Sequence, residues 1–161
     1  VRASVWVPLH SLVQRHRRYA HTEWAMPPDR ADRLDALQQH LAPDDTAERI
    51  QWLFDDHLPD LPEEGGKDFD SRRYLDVVAR RRSEAITTLI DVAGFEGVRA
   101  LARASKYPGL VGAAVADTGD EGVGRELLEF IDSDDPKLLD AAYAWASRKG
   151  SADQEWVTSA A

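Results

Sequence analysis

One uninterrupted stretch of helical pattern, residues 70–93, constrains the fold of this chain more than any other feature. It reads DSRRYLDVVARRRSEAITTLIDVA and contains neither proline nor glycine. Asp70 can cap the first amides of a helix, and Gly94 can end it in a left-handed turn. The stretch therefore predicts a long amphipathic helix. At 100° per residue its apolar arc contains Tyr74, Leu75, Val78, Ala79, Ala85, Ile86, Leu89, Val92 and Ala93.

Shorter helical patterns lie on both sides of this stretch. Pro8 fits the first turn of an N-terminal helix, a second pattern runs from Pro28 or Asp29 to about Leu41, and Asp44 or Asp45 can cap a third. No strand is predicted, because Val, Ile and Thr never alternate with polar residues over a useful length. We expect an all-α protein of about eight helices and no sheet, one helical domain over residues 1–161, with a flexible loop at residues 58–69. The later patterns begin at Phe95, Pro108, Glu121, Pro136 and Ala152.

Composition and motif spacing exclude several kinds of site. The chain has no cysteine, so thiolate chemistry is impossible, and its net charge of −9 opposes nucleic-acid binding through the overall electrostatic field. No apolar run is long enough to cross a bilayer, so we expect a cytoplasmic protein that does not contact membranes. Lysine is scarce relative to arginine, which indicates a bacterial source. The five histidines lack zinc spacing, and Leu61 and Asp68 break the P-loop pattern of EEGGKDFD. We expect no catalytic residue, metal or cofactor.

An internal echo appears in the second half of the chain. Six positions match after 28 residues, five with the same residue and one with valine in place of leucine, and in both copies proline begins a helical pattern that contains an alanine pair. The echo pairs Pro108, Leu110, Val111, Ala113, Ala114 and Ala116 with Pro136, Leu138, Leu139, Ala141, Ala142 and Ala144.

This pattern resembles the second helix of HEAT-like repeats, which carry Asp-Pro, an aliphatic residue and an Ala-Ala pair. Asp135-Pro136 matches that motif, whereas Tyr107-Pro108 lacks the acid, and these repeats usually have arginine where Val111 and Leu139 stand here. The resemblance covers residues 95–149. It implies an α-solenoid-like stack of antiparallel helix pairs, each of which buries its apolar face against its neighbours.

Arginines are concentrated in two places and could form a basic contact surface. Arg80 alternates with Asp76 and Glu84 at a spacing of four residues, which is typical of a solvated helix stripe. This alternation makes a nucleic-acid surface the less favoured interpretation. The candidate basic residues are Arg15, Arg17, Arg18, Arg73, Arg80 and Arg81.

Arg82 falls at the centre of the apolar arc. A buried guanidinium requires a carboxylate or carbonyl partner, because an unpaired buried charge costs several kcal/mol. We predict a structural ion pair with one of four acids from the preceding helix end and loop; alternatively, the helix rolls and the side chain reaches water. The same acids are the candidate ligands of a less favoured alternative, a metal-dependent enzyme. They are Asp55, Asp56, Asp68 and Asp70.

The sequence favours protein–protein recognition or scaffolding by a helical-repeat segment of a larger bacterial protein. Apolar residues near both ends, such as Val5, Val7 and Trp156, predict contacts with more protein, either the rest of the same chain or another subunit, or self-association through exposed ends. The alternative is a nucleic-acid-binding helical domain that uses the clusters Arg15 to Arg18 and Arg80 to Arg82.

Overall fold

The computed structural model describes residues 1–23, 25–55 and 71–159, and only the backbone of residues 18, 71–74 and 151–159. Throughout this part of the chain the regular structure is α-helical, which confirms the all-α prediction. The chain divides into an N-terminal unit, Val1–Asp56, and a C-terminal unit, His57–Ala161. The single domain stays a prediction, and the loop at 58–69 lies outside the described residues. The helices are α1 (Arg2–Arg18), α2 (Pro28–Leu41), α3 (Thr46–Leu53), α4 (Ser71–Ala104), α5 (Pro108–Thr118), α6 (Glu121–Leu128) and α7 (Pro136–Ser159).

The first helix begins earlier than the sequence predicted. It starts at Arg2, so Pro8 lies inside α1 and not in its first turn. Proline removes one backbone hydrogen bond of a helix, and contacts with α2 hold the turns that precede it. Trp6 is 1% exposed and its Nε1 donates to the carbonyl of Gln38 at 3.0 Å. Arg2 donates to two backbone carbonyls at the end of α2.

The other two helices of the N-terminal unit begin where the sequence predicted. α2 starts at Pro28. The first residue of a helix makes no intrahelical hydrogen bond through its N–H, so proline, which has no N–H, is well tolerated there. α3 is capped by Asp45, whose Oδ1 accepts from the amide of Glu48 at 2.8 Å. The buried apolar side chains of this unit include Trp6, Val13 and Phe54.

The long helix of the C-terminal unit is interrupted at the predicted glycine. Gly94 has φ 58° and ψ −157°, a backbone conformation that side chains disfavour, and helical geometry resumes directly after it. α4 therefore consists of two helical segments, and Phe95 at the start of the second stacks on Phe130 with ring centroids 6.0 Å apart.

The last helix runs further than predicted. α7 continues through Gly150 to Ser159, so the expectation of a separate fragment from Ala152 is wrong. A glycine inside a helix costs only about 1 kcal/mol relative to alanine, which is too little to end a long helix.

α5 and α7 are parallel neighbours. The amide of Gly109 donates to Asp140 Oδ2 at 2.8 Å near the start of both helices. Near their ends, Arg148 Nε donates to Asp117 Oδ1 at 2.9 Å. Because the pairs follow the same order along both helices, the two helices run in the same direction.

Glycine permits the closest approaches in this unit. A Cβ placed on Gly112 of α5 would lie 1.9 Å from the carbonyl oxygen of Ala141 in α7. A Cβ on Gly124 of α6 would lie 2.4 Å from Cζ2 of Trp145. The backbone of α5 therefore packs directly against the backbone of α7 at Gly112, and the backbone of α6 packs against the ring of Trp145 at Gly124.

Candidate functional site

The residues of the predicted basic surface belong to two different units. Arg17 Nη2 pairs with Asp35 Oδ2 at 2.7 Å, and Arg80 Nε lies 3.9 Å from Glu84 Oε1. Both of these guanidinium groups thus have a carboxylate neighbour. The other candidates are the exposed Arg15, the half-buried Arg81, and Arg18 and Arg73, whose side chains lie outside the described part of the chain.

Arg82 is half-buried on α4. Of its four predicted partners, Asp56, Asp68 and Asp70 lie outside the described residues, and Asp55 is a half-buried residue of the N-terminal unit. The ion pair stays a prediction, as does the acidic metal site built on the same acids. Among the described residues, no group of three His, Asp or Glu side chains is arranged to hold a metal ion.

A histidine cluster, which consists of Trp6, His10, Gln38 and Trp52, joins the three helices of the N-terminal unit. The rings of Trp6 and His10 stack with centroids 5.0 Å apart and planes 29° apart. Trp52 lies 5.8 Å from Trp6, and Gln38 Nε2 donates to His10 Nδ1 at 3.3 Å. Sequence reasoning missed this cluster; its only signal was the spacing of four residues between Trp6 and His10, which places both on one helix face.

The surroundings of His10 favour its neutral form. Burial lowers the pKa of His10 below the usual value of 6.5, and the positive charges of Arg17 and Arg49 lower this pKa further. Arg49 is held in place by hydrogen bonds from Nε and Nη2 to the carbonyl of Pro43, at 3.2 and 2.7 Å. Arg17 is held by Asp35. The imidazole is therefore uncharged near neutral pH and can accept at Nδ1.

A second polar network joins the end of α4 to the start of α7. Lys137 Nζ donates to the carbonyls of Arg103 and Ser105 at 2.6 and 2.8 Å. Arg103 Nε donates to Asp135 Oδ2 at 2.9 Å, and Asp135 Oδ1 caps α7 by accepting from the amide of Lys137 at 3.1 Å. The hydrogen bond from Arg103 lowers the pKa of Asp135, and so do the backbone amides. The lysine satisfies carbonyls that a helix end leaves open.

The spacing of these contacts matches the internal echo. The described side-chain hydrogen bonds between helices of the C-terminal unit join residues 28 to 34 positions apart. The pair closest in sequence, 28 positions apart, is Lys149 and Glu121, whose Nζ and Oε1 atoms form a hydrogen bond of 2.6 Å. Each of these contacts thus joins residues about 30 positions apart in the chain.

Two exposed tyrosines flank the junction of α5 and α7. Tyr107 is 58% exposed and lies two residues before Gly109, whose amide donates to Asp140. Tyr143 is 62% exposed and lies one turn after Asp140, with Ser147 exposed one turn further on. We call Tyr107, Asp140, Tyr143 and Ser147 the tyrosine surface. Its members include two large amphipathic rings and one carboxylate.

Comparisons with protein-family models, curated proteins and solved structures found no match to this chain. The HEAT-like resemblance accordingly stays a prediction. Along the described ranges, no helix is both long and apolar enough to span a membrane.

Proposed function

We propose that this chain is a non-catalytic protein-recognition segment whose helix pairs stack in the manner of an α-solenoid. The parallel packing of α5 on α7 is the observation that supports this proposal best. In an ordinary up-and-down bundle the largest contacts join helices consecutive in the chain. Here α5 packs far more extensively on α7 than on α6, which follows it directly.

The pattern of interactions agrees with a stack of repeats. A solenoid is stabilised by contacts between nearest-neighbour repeats, so its interactions join residues about one repeat apart. The separations of 28 to 34 residues fit this rule. Pro108 and Pro136 begin equivalent helices 28 positions apart, as the sequence echo predicts.

The tyrosine surface is the place where we expect the protein partner to bind. Tyrosine supplies a large contact area and a hydroxyl group while losing little conformational entropy, and it is enriched among residues that dominate binding energy. Tyr143 makes α7 the centre of the interface, because it is the most exposed large hydrophobic side chain described on that helix. A partner with an apolar anchor and a hydrogen-bond donor for Asp140 would complement this surface.

Site-specific cross-linking tests the proposal. A photoreactive benzoyl-phenylalanine at position 143 should yield an adduct with one discrete protein in cells, whereas the same group at the exposed Glu126 of α6 should not. With that protein purified, Tyr143→Ala should weaken binding at least about tenfold, the usual loss at a binding hot spot, while Glu126→Ala leaves it unchanged. Absence of an adduct at position 143, or the same adducts at both positions, would contradict the proposal.

The nucleic-acid alternative has less support, because Arg17 already pairs with Asp35 and the net charge is −9. A titration with a labelled duplex at about 50 and 200 mM salt distinguishes the two functions, since phosphate contacts weaken steeply over this range. We expect no salt-sensitive binding. Binding that is lost when both Arg15→Gln and Arg17→Gln are introduced would favour the alternative.

A further inference from the structure

The histidine cluster contains a titratable group at the junction of α1, α2 and α3. His10 of α1 lies between the indole of Trp6 and the side-chain amide of Gln38, which comes from α2. Gln38 also accepts the Trp6 indole N–H through its backbone carbonyl at 3.0 Å. The same residue of α2 thus contacts both rings, so a change at His10 acts directly on the packing of α1 against α2.

The positive charges around His10 oppose protonation of its imidazole. Arg17 faces it from its own helix and Arg49 faces it from α3. α2 contributes Gln38, which is neutral, and Asp35, whose Oδ2 is engaged by Arg17 at 2.7 Å. Protonation would also place an N–H on Nδ1, where Gln38 Nε2 now donates at 3.3 Å, so two donors would face each other.

We propose that the histidine cluster is an acid-sensitive contact in which protonation of His10 weakens the packing of α1 on α2 and α3. Each opening of α1 exposes Trp6, which is the most deeply buried aromatic side chain described in this helix. The effect concerns the packing of α1 within the N-terminal unit. It does not depend on the recognition surface proposed on α5 and α7.

The sign of the effect follows from proton linkage. The folded form binds a proton at His10 less readily than the unfolded form, whose histidine has the ordinary pKa of 6.5. The packing of α1 is therefore fully stable above pH 6.5 and weakens as the pH falls below that value. At one pH unit below it, the weakening is at most about tenfold, which is the ratio of protonated to neutral histidine in the unfolded form.

Amide hydrogen exchange of the complete chain tests this proposal. Rates are measured at about pH 7.5 and 5.5, which bracket the histidine range, and corrected for intrinsic exchange. The protection of α1 amides should fall severalfold, up to about tenfold, at the lower pH. Amides of α5 and α7 should keep their protection and serve as the internal control. An equal fall in α5 and α7 would overturn the proposal.

Two variants locate the effect. His10→Phe keeps an aromatic ring against Trp6 but cannot be protonated, so protection of α1 should no longer depend on pH. His40→Gln, at an exposed histidine of α2, should respond to pH as the wild type does. Acid-induced loss of α1 protection that persists in His10→Phe overturns the proposal.

If His10→Phe does not fold, an NMR titration of the His10 ring in the wild-type chain replaces it. A midpoint below 6.5 supports the proposal, and a midpoint at or above 6.5 overturns it.

Discussion

Replacement of Gly112 by alanine should drive α5 away from α7. The new methyl carbon would stand 1.9 Å from the carbonyl oxygen of Ala141 and 2.7 Å from its carbonyl carbon. Ordinary contact between carbon and a carbonyl oxygen is about 3.3–3.6 Å, so the overlap is roughly 1.5 Å. Both opposing atoms belong to the backbone and cannot rotate away. The helices must therefore separate at a point where Val111 and Val115 are fully buried.

The expected loss of stability is about 2 kcal/mol or more. Overpacking of a core costs about 1–3 kcal/mol, occasionally more, and an encounter with backbone belongs at the upper end of that range. Alanine recovers about 1 kcal/mol of helix propensity relative to glycine, which offsets part of the cost.

Gly150→Ala is the matched control, because it makes the same chemical change inside α7 with no atom within 4 Å of the added Cβ. It should stabilise the chain by about 0.5–1 kcal/mol. Chemical denaturation of both variants, followed by circular dichroism, measures the difference directly. Gly112→Ala as stable as Gly150→Ala would refute the close approach of α5 and α7.

Three further outcomes follow from single contacts. Asp135→Asn should destabilise the chain at neutral pH. Because folding lowers the pKa of Asp135 from 3.8, the wild type loses this extra stability as the pH falls through the lowered pKa. Denaturation at several pH values should therefore show the stabilities of wild type and variant converging at low pH. Trp6→Phe should cost about 0.5–1.5 kcal/mol, the net worth of one hydrogen bond, because the carbonyl of Gln38 loses its indole donor but still accepts from the amide of Ala42; a thermal melt that is unchanged would contradict that role. Arg148→Ala should cost no more than about 1 kcal/mol, because its pair with Asp117 is exposed, and the difference should vanish in about 1 M salt.

Little of the candidate site was visible in the sequence. The two arginine clusters were conspicuous there, yet Arg17 and Arg80 have carboxylate neighbours in the structure. His10 attracted no functional interpretation, because its role depends on Gln38 and Arg49, which belong to other helices. A pattern on one helix cannot reveal what a different helix places opposite it.

The helix boundaries show where local signals are sufficient. Asp45 and Pro28 begin their helices as predicted, because a cap or an N-terminal proline acts on amides within three or four residues of itself. The helix start at Pro8 and the separate fragment from Ala152 were wrong, because α1 continues through Pro8 and α7 continues through Gly150. Each carries a local penalty that is smaller than the stabilisation of a whole helix, so both remain inside one.

The sequence alone determined the all-helical class, the break at Gly94 and the paired starts of α5 and α7, because these depend on side-chain periodicity and on the backbone preferences of proline and glycine. Only the tertiary structure decided that α5 lies parallel to α7 and that Gly112 meets Ala141. Such pairings depend on which surfaces become complementary after the helices form. The internal echo indicates that the two helices are alike, but it does not tell which atoms of one helix face the other. For the same reason, the pattern shows Lys137 only as an ordinary surface lysine and does not reveal that it donates to the carbonyls of Arg103 and Ser105 at the end of α4.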